Sequence, residues 1–246
     1  MAGKYLKGAF IQMMPTILIP LPNVIIFQFN PETMTHTWTP ATKDTSTTPG
    51  GGQPNPLAVK GLPGESFSFN LAMDANDMIA DGSPVAVGLA TATGIYSRLA
   101  ALEMLLYPTG AFAGGSLLGT VSASLSAGGA AASIGGSSSA PVDRTVPQST
   151  LPTVLFVWGP GRILPVRVTT LTITEKLYDA LLLNPTHAEA QIGLTVLTPD
   201  EVVSIQDSLK EVAKTAYEYS QGLRQALALA NLANAAESII GMLPLG

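Results

Sequence analysis

The sequence contains no cysteine and only two histidines, His36 and His187, and these absences exclude several kinds of chemistry. Without cysteine the chain can form neither a disulfide framework nor a thiolate metal site. Both histidines stand alone, without the His-Glu-x-x-His pattern of a zinc site, so we interpret them as ordinary strand or loop residues. Neither a phosphate-binding glycine loop nor a Gly-x-Ser-x-Gly nucleophile elbow occurs. We therefore expect no enzymatic activity, no catalytic residues, no bound metal and no cofactor.

The single acidic cluster of the sequence does not provide a calcium site. A calcium loop needs oxygen ligands at alternating positions, a central glycine and a distal glutamate, and the spacing here does not supply them. The cluster therefore predicts a solvated turn. Its members are Asp74, Asn76, Asp77 and Asp81.

Charged residues are also scarce. They make up 12% of the 246 residues, against about 25% in a typical soluble domain. A surface this poor in charge is often covered by another molecule, which indicates extensive protein–protein contact, although a segment rich in glycine and serine also dilutes charge. The formal net charge of −5 argues against nucleic acid as a partner.

The chain has no uninterrupted hydrophobic run long enough for a membrane helix. Ile11–Ile26 is apolar, but Pro15, Pro20 and Pro22 interrupt it, so it does not form one spanning helix. Residues 1–7 lack the apolar core and the small-residue cleavage site of a signal peptide. We therefore expect no membrane span and a protein that is cytoplasmic when it is synthesised.

The sequence does contain a series of short β-strand patterns, clearest in its C-terminal third. Val154–Trp158 is an apolar run that a Gly-Pro-Gly turn sequence closes. Val166–Glu175 alternates, but the parity of its apolar positions changes at Thr169-Thr170, which predicts a bulge or a bend rather than one flat strand. The third run, Ala188–Leu197, keeps strict alternation and predicts a half-buried strand.

The N-terminal part is also rich in strand patterns. Phe27 and Phe29 fall on one face of a predicted strand that ends at Asn30-Pro31, and we expect both phenylalanines in the core. About seven short strands with turn signals between them predict a β-sandwich or barrel. The N-terminal candidates are Gly8–Met14, Thr16–Ile19, Val24–Asn30, Thr35–Thr39 and Glu65–Met73.

One helical pattern and one low-complexity segment interrupt the strands. Gly94–Tyr107 predicts a helix that ends before Pro108. Thr109–Thr150 is rich in Ala, Gly and Ser and predicts a surface loop, either flexible or ordered by assembly. The apolar positions at helical spacing are Ile95, Leu99, Leu102 and Leu106.

The C-terminal segment has the clearest helical pattern. Thr198–Glu201 forms a capping box with proline at the first helical position. Apolar residues then recur at steps of three and four, which predicts a narrow seam suited to one partner helix or groove. One helix from Pro199 to about Ile240 would be roughly 60 Å long, so we expect part of it to pack on another subunit; the alternative is a helix folded back along its own domain. The seam consists of Val202, Ile205, Leu209, Val212, Ala216, Tyr219, Leu223, Ala226, Ala230 and Ala233.

Three motifs follow one another along the chain. The first is Phe27–Thr33, which reads Phe-Gln-Phe-Asn-Pro-Glu-Thr; the second is a Trp-Gly pair that precedes the strand pattern Val168–Ile173; the third is Leu183–Ala190, which contains Leu-Asn-Pro. They resemble the motifs of the tube-like domain family of contractile injection systems, phage-tail-derived particles related to antifeeding prophage and virulence cassettes. His187 stands where that family has Arg. The matching residues are Phe27, Phe29, Asn30, Pro31, Trp158, Gly159, Leu171, Asn184, Pro185 and Glu189.

The resemblance covers about Gly8–Asp74 and Val154–Leu197 and implies a split β-barrel that assembles as a hexameric ring. In such particles the protein would be a tube initiator or spike adaptor, and its partners would be its own copies, inner-tube proteins, the trimeric spike hub and baseplate proteins. It would be made in the bacterial cytoplasm and then become part of the particle. Many members carry a C-terminal lysin-motif domain, and this chain has the long helix there instead.

The expected fold is thus mainly β with helices. Its parts are a first barrel segment (1–83), an insertion with a helix and a Gly/Ser/Ala-rich loop (84–150), a second barrel segment (151–198) and a C-terminal helix (199–246). Two alternatives remain open. The chain could be a repeating inner-tube subunit, or a β-sandwich binding module with a coiled-coil tail that acts outside any particle.

Overall fold

The structure is a computed structural model that describes residues 6–14, 21–43, 55–80, 84–108, 151–205 and 210–242. The predicted strand Thr16–Ile19, the predicted loop Thr109–Thr150 and the seam residue Leu209 lie outside the described residues. Within the described part, strands and helices are mixed, and the main sheet is antiparallel. The predicted combination of antiparallel strands and helices is therefore confirmed, but the protein is not mainly β, because the helices occupy about as many described residues as the strands.

Seven strands form one sheet in the order β2-β1-β7-β8-β9-β6-β3, and β4 and β5 form a separate pair. Every neighbouring pair in the large sheet is antiparallel. The strands are β1 (Ala9–Met14), β2 (Leu21–Ile26), β3 (Met34–Thr39), β4 (Thr42–Lys43), β5 (Val59–Lys60), β6 (Gly64–Asp74), β7 (Val154–Val157), β8 (Ile163–Tyr178) and β9 (Pro185–Val196).

The alternation predicted for β6 and β9 is confirmed, because the apolar residues of one face of each strand are buried. The bulge predicted in β8 is also confirmed. Val168 pairs with Leu194 and Thr170 pairs with Gly193, so the register shifts by one residue between them. Gly193 faces this bulge, and a Cβ at its position would collide with Thr170 Oγ1. Glycine is therefore needed where the extra residue crowds the opposite strand.

The sheet coils so strongly that distant strands face each other. Phe10 on β1 and Phe69 on β6 have ring centroids 6.4 Å apart, although four inter-strand steps separate these strands, or roughly 19 Å in a flat sheet. Phe27, Phe67 and Phe156 complete this aromatic core. The sheet stays open in the described residues, because β2 and β3 are its two edges and are not paired with each other.

Five helices accompany the sheet in the described residues. They are α1 (Ala75–Ala80), α2 (Pro84–Thr93), α3 (Tyr96–Glu103), which continues into a 3-10 turn (Met104–Leu106), α4 (Pro199–Val203) and α5 (Lys210–Met242). The helix predicted at Gly94–Tyr107 is confirmed as α3 and its 3-10 turn. The solvated turn predicted at the acidic cluster is wrong, because Asp74 Oδ1 accepts the Asn76 backbone N–H at 2.7 Å and α1 begins there.

Helix α3 belongs to the central core. Ile95, Leu99 and Leu102 are almost completely buried, as the spacing predicts. Leu105 is buried in place of Leu106, which is 37% exposed, because the last turn tightens into a 3-10 turn and rotates the following side chains. The predicted insertion thus contributes side chains to the same core as the strands.

The prediction of one helix from Pro199 to Ile240 is wrong. Helix α4 ends at Val203, and α5 begins at Lys210. The capping box at Thr198 is present, but the Ser204 hydroxyl donates to the Glu201 carbonyl oxygen at 2.6 Å, a contact that competes with continued helical bonding. Helix α5 alone has 33 residues, which makes it about 50 Å long.

Candidate functional site

The described residues contain no cluster of three or more metal-ligating side chains. No described helix is long and apolar enough to cross a membrane. The features that could carry a function are instead the residues that link segments across the gap between the edge strands β2 and β3, and the exposed apolar surfaces around the sheet.

Asn30 holds the N-terminal segment against the connection between β2 and β3. Its Nδ2 donates to the Leu6 carbonyl oxygen at 2.8 Å, and its Oδ1 accepts the Gly8 backbone N–H at 2.9 Å. The Phe27 N–H in turn donates to the Gly8 carbonyl oxygen at 2.8 Å. Pro31 follows this clamp and lines the outer groove described below. The first motif therefore fixes where the chain leaves one edge of the sheet.

The two phenylalanines of this motif have different environments. Phe27 is 2% exposed and packs edge-on against Phe10 at 5.0 Å. Phe29 is 42% exposed, so the expectation that it lies in the core is wrong. The strand alternation ends because β2 stops at Ile26, and Phe29 then belongs to the crossing segment.

Gln28 was not found by sequence reasoning, although it links the crossing segment between β2 and β3 to the end of β6. Its Nε2 donates to the Asp74 carbonyl oxygen at 2.8 Å, and its Oε1 accepts the Asp74 backbone N–H at 3.1 Å. Gln28 is only 8% exposed. A long amide between two phenylalanines in a β-prone segment is the signal that could have identified it, because a buried amide requires partners.

The second Asn-Pro motif also acts as a clamp. Asn184 Nδ2 donates to the Ala92 carbonyl oxygen at 3.0 Å, and the Ile95 N–H donates to the Pro185 carbonyl oxygen at 3.0 Å. Gly94 lies between these contacts with φ +58°, a conformation that favours glycine. The motif therefore attaches the junction of α2 and α3 to the start of β9.

The other motif residues lie near these clamps. Trp158 is half-buried, with its ring centroid 6.4 Å from that of Phe27, and its N–H donates to the Arg162 carbonyl oxygen at 2.8 Å. Gly159 has φ +69° in the turn that follows. Leu171 is half-buried and packs against the core just after the bulge.

Glu189 and His187 make charge contacts on the outer face. Lys176 Nζ lies 2.5 Å from Glu189 Oε1, and this hydrogen bond lowers the pKa of the exposed Glu189 carboxyl below its ordinary value. His187 Nδ1 lies 3.4 Å from Asp74 Oδ2. A polar contact is therefore kept at the position where the resembling family has Arg.

The first half of α5 docks on its own sheet. Ser220 donates its hydroxyl to the Ile163 carbonyl oxygen at 2.7 Å and accepts the Ile163 N–H at 3.2 Å. The Tyr219 hydroxyl donates to the Pro160 carbonyl oxygen at 2.9 Å. Ala213 and Ala216 are buried in a second apolar cluster together with residues of α4 and β7. This half of the helix is thus folded back along its own domain.

A buried ion pair ends the docked half. Arg224 forms two parallel hydrogen bonds with the Glu65 carboxylate, one of them 2.9 Å from Nη1 to Oε2. The Glu65 side chain is 3% exposed, and His36 Nε2 lies 2.9 Å from its Oε1. Arg224 also stacks over the Trp38 ring at 4.9 Å. Sequence reasoning missed this cluster, because 159 residues separate Glu65 from Arg224 and no local spacing links them.

The predicted partner-helix seam is divided between several environments. Val202 is buried, and Ile205 and Leu223 are half-buried, while Val212 is 48% and Tyr219 50% exposed. The face of α5 that docks on the sheet is turned about one residue away from the predicted seam. Its buried residues are Ala213, Ala216, Tyr217 and Ser220.

Among the exposed apolar residues of the described part of the chain, three groups lie at an edge or an end of the fold. The first is the edge strand β2, where Val24 is 47% and Ile26 52% exposed. The second is the half of α5 after Arg224. The third is the tip of the β8–β9 hairpin, where Asp179 accepts the Leu182 and Leu183 backbone N–H groups at 2.9 Å. The exposed apolar residues of that tip are Leu177, Tyr178, Leu181, Leu182 and Leu183.

An open groove of about 910 Å³ lies beside the crossing segment, on the outer face of β6 and β9. It is lined by Lys7, Glu32, Asp77 and Glu189 as well as the exposed Phe29. The acidic groups of the groove are not part of any cluster of three or more metal-ligating side chains in the described residues.

The comparison with protein-family models and the search of curated proteins found no match for this chain. The assignment of a function therefore depends on the motifs and on the geometry of the clamps, the sheet edges and the uncovered surfaces.

Proposed function

We propose that this chain is a structural component of a contractile injection system, a tube initiator or baseplate adaptor that forms a hexameric ring between the trimeric spike hub and the inner tube. The proposal includes a split β-barrel, partners among the inner-tube, spike and baseplate proteins, and a location first in the bacterial cytoplasm and then in the particle. The observation that carries it is the open, coiled sheet, whose edge strands β2 and β3 each have a neighbouring strand on one side only within the described residues.

The open sheet supports the proposal through its hydrogen bonding. Edge strands present unpaired backbone groups, and proteins avoid uncontrolled pairing by covering or closing such edges. Here β2 and β3 are the two edges of one coiled sheet. If β2 of one copy pairs with β3 of the next, the contact is heterologous, and repetition with the right rotation closes a ring.

The motif residues support the same arrangement. Asn30 and Gln28 fix the crossing segment that joins the two edges, so the edges are held at a defined separation. Asn184 fixes the junction of α2 and α3 to the start of β9, the end of the sheet at which Gln28 contacts Asp74. A preorganised edge loses less conformational entropy when it pairs, which favours a specific ring over disordered aggregation.

The experiment blocks one edge without unfolding the chain. Successive backbone N–H groups of a strand point to opposite sides. Of the two variants Val24→Pro and Ile25→Pro, one therefore removes a hydrogen bond to β1, and the other removes only an N–H group that points away from the sheet. We expect the variant that keeps native circular dichroism to be absent from purified particles and to lose the hexamer. A folded variant that enters particles normally would refute ring closure through β2.

A truncation that tests the C-terminal helix must keep the half that docks on the sheet. Removal of all residues from Pro199 onward would expose the cluster around Leu155 and leave Glu65 without Arg224. Deletion after Gln225 keeps the docked half. We expect this shorter chain to fold, and counting its copies per particle by cryo-microscopy distinguishes a single adaptor ring from a repeating tube subunit.

A binding module that acts outside any particle is the second candidate, and the exposed leucines of α5 favour it. Such a protein would form a stable dimer through its tail in light scattering and would not co-purify with particles. Recovery of the chain in particles would exclude this candidate.

A further inference from the structure

The composition and the burial of helix α5 differ before and after Arg224. Before this residue, the helix carries charged side chains and docks on the sheet. After it, every residue from Gln225 to Leu232 is exposed. Three of these are large apolar residues: Leu227 is 62%, Leu229 68% and Leu232 64% exposed. Residues 225–232 of the helix therefore present an uncovered apolar surface.

This half-helix is also uncharged. No Asp, Glu, Lys or Arg occurs from Gln225 to Ala236, and Glu237 is the first charge that follows. When a helix packs against its own copy, a charge on the contact face can meet the same charge on the partner. The absence of charge removes that repulsion, whereas a charged docking surface on a different protein would find no complementary group here.

The leucines occupy two different faces of the half-helix. Leu229 and Leu232 are three residues apart and share one face, and the sequence continues the spacing of four and three at positions 236 and 239. Leu227 precedes Leu232 by five residues, so the two side chains are about 140° apart around the helix axis. Leu227 shares its face with Asn231, which follows it by four residues.

We infer that Leu229 and Leu232 pack against the same half-helix of a second copy of this chain. Residues 225–242 form about 27 Å of helix. A face of that length and about half of a 10 Å cylinder offers roughly 400 Å² per copy, below the about 800 Å² of a standard stable interface. The contact is therefore weak and concentration-dependent unless another contact already holds the copies together, as the proposed ring would.

The absence of cysteine allows a direct test on the full chain, because one introduced cysteine is the only thiol. Position 232 lies near the middle of residues 225–242, so parallel and antiparallel pairing both bring it near its copy. Leu232→Cys should give an interchain disulfide dimer under mild oxidation at high protein concentration. Leu227→Cys, equally exposed on the other face, is the matched control and should give at least tenfold less dimer.

A second pair of variants measures the contact without oxidation. Leu229→Asp combined with Leu232→Asp should shift concentration-dependent self-association in sedimentation to at least tenfold higher concentration, and Leu227→Asp should leave it unchanged. Equal cross-linking at positions 227 and 232, or none at either, would overturn the inference. Incorporation into particles without cross-linking would overturn it and leave the proposed function intact, while cross-linking without incorporation would do the reverse.

Discussion

The strongest test of how α5 is attached is the removal of Arg224. In Arg224→Met the apolar stem of the side chain is kept, but the Glu65 carboxylate loses both of its guanidinium hydrogen bonds. The Glu65 side chain is 3% exposed, so water cannot replace them. Only His36 remains beside the carboxylate, and its Nε2 forms no hydrogen bond in the described residues.

The expected loss of stability in Arg224→Met follows from the burial of Glu65 and Arg224. Loss of one partner from a fully buried ion pair costs about 3–5 kcal/mol. Arg224 is 28% exposed, so part of its charge is already solvated in the folded state. We therefore expect Arg224→Met to lower the free energy of unfolding by about 3 kcal/mol, the low end of that range.

Urea unfolding followed by tryptophan fluorescence measures this change, since Trp38 lies directly under the guanidinium group. The matched control is Glu189→Gln, which breaks an ion pair whose side chains are 43% and 48% exposed, and which should change the stability far less because water screens exposed pairs. Because a buried ion pair can be replaced by apolar residues at little cost, Glu65→Met combined with Arg224→Met should recover most of the loss. A single Arg224→Met change no larger than the control would refute the reasoning.

Two further predictions concern a glycine and a carboxylate. Gly94→Ala should lower the free energy of unfolding by more than the about 1–2 kcal/mol that a non-glycine residue costs in the left-handed conformation, because its Cβ would also collide with the Pro185 carbonyl oxygen. The control Gly88→Ala lies in open space on α2 and should instead stabilise the protein by about 0.5–1 kcal/mol. Thermal unfolding compares the two variants. The lowered pKa of Glu189 contributes stability above the ordinary carboxylate range that is lost as pH falls through the folded-state pKa. Lys176→Met should raise the pKa of Glu189 in an NMR titration, and an unchanged titration would contradict the assignment.

The parts of the fold that could be predicted from the sequence are those in which apolar residues recur at a short, regular interval. Strands β6 and β9 and the bulge at Thr169-Thr170 could be predicted, because a period of two residues is visible over a few positions. Helix α2 could not, because Val85, Val87 and Thr91 are β-branched and Gly88 is a weak helix former, so packing rather than intrinsic preference stabilises it.

The candidate site was predictable only where its contacts are local to a motif. The Asn-Pro pairs were identified, but their partners lie 22 or more residues away, at Gly8 and Ala92. Helix α4 ends at Val203, where the Ser204 hydroxyl donates to the Glu201 carbonyl oxygen, and a heptad pattern does not reveal this end. Glu65 and Arg224 meet only because the sheet coils and the helix folds back over its edge.

The low charge of the chain is matched by apolar residues on its surface. Inside the body, buried polar side chains are held by specific partners, as Gln28 is by Asp74 and Ser220 by Ile163. Exposed large apolar residues occur in groups at the β2 edge, the hairpin tip and residues 225–232 of α5, and others, such as Leu57 and Val59, lie elsewhere. Scattered apolar residues are normal on a monomer, but grouped ones are typical of surfaces that other chains cover. The three groups are therefore the places where the proposed ring and helix contacts would remove apolar surface from water.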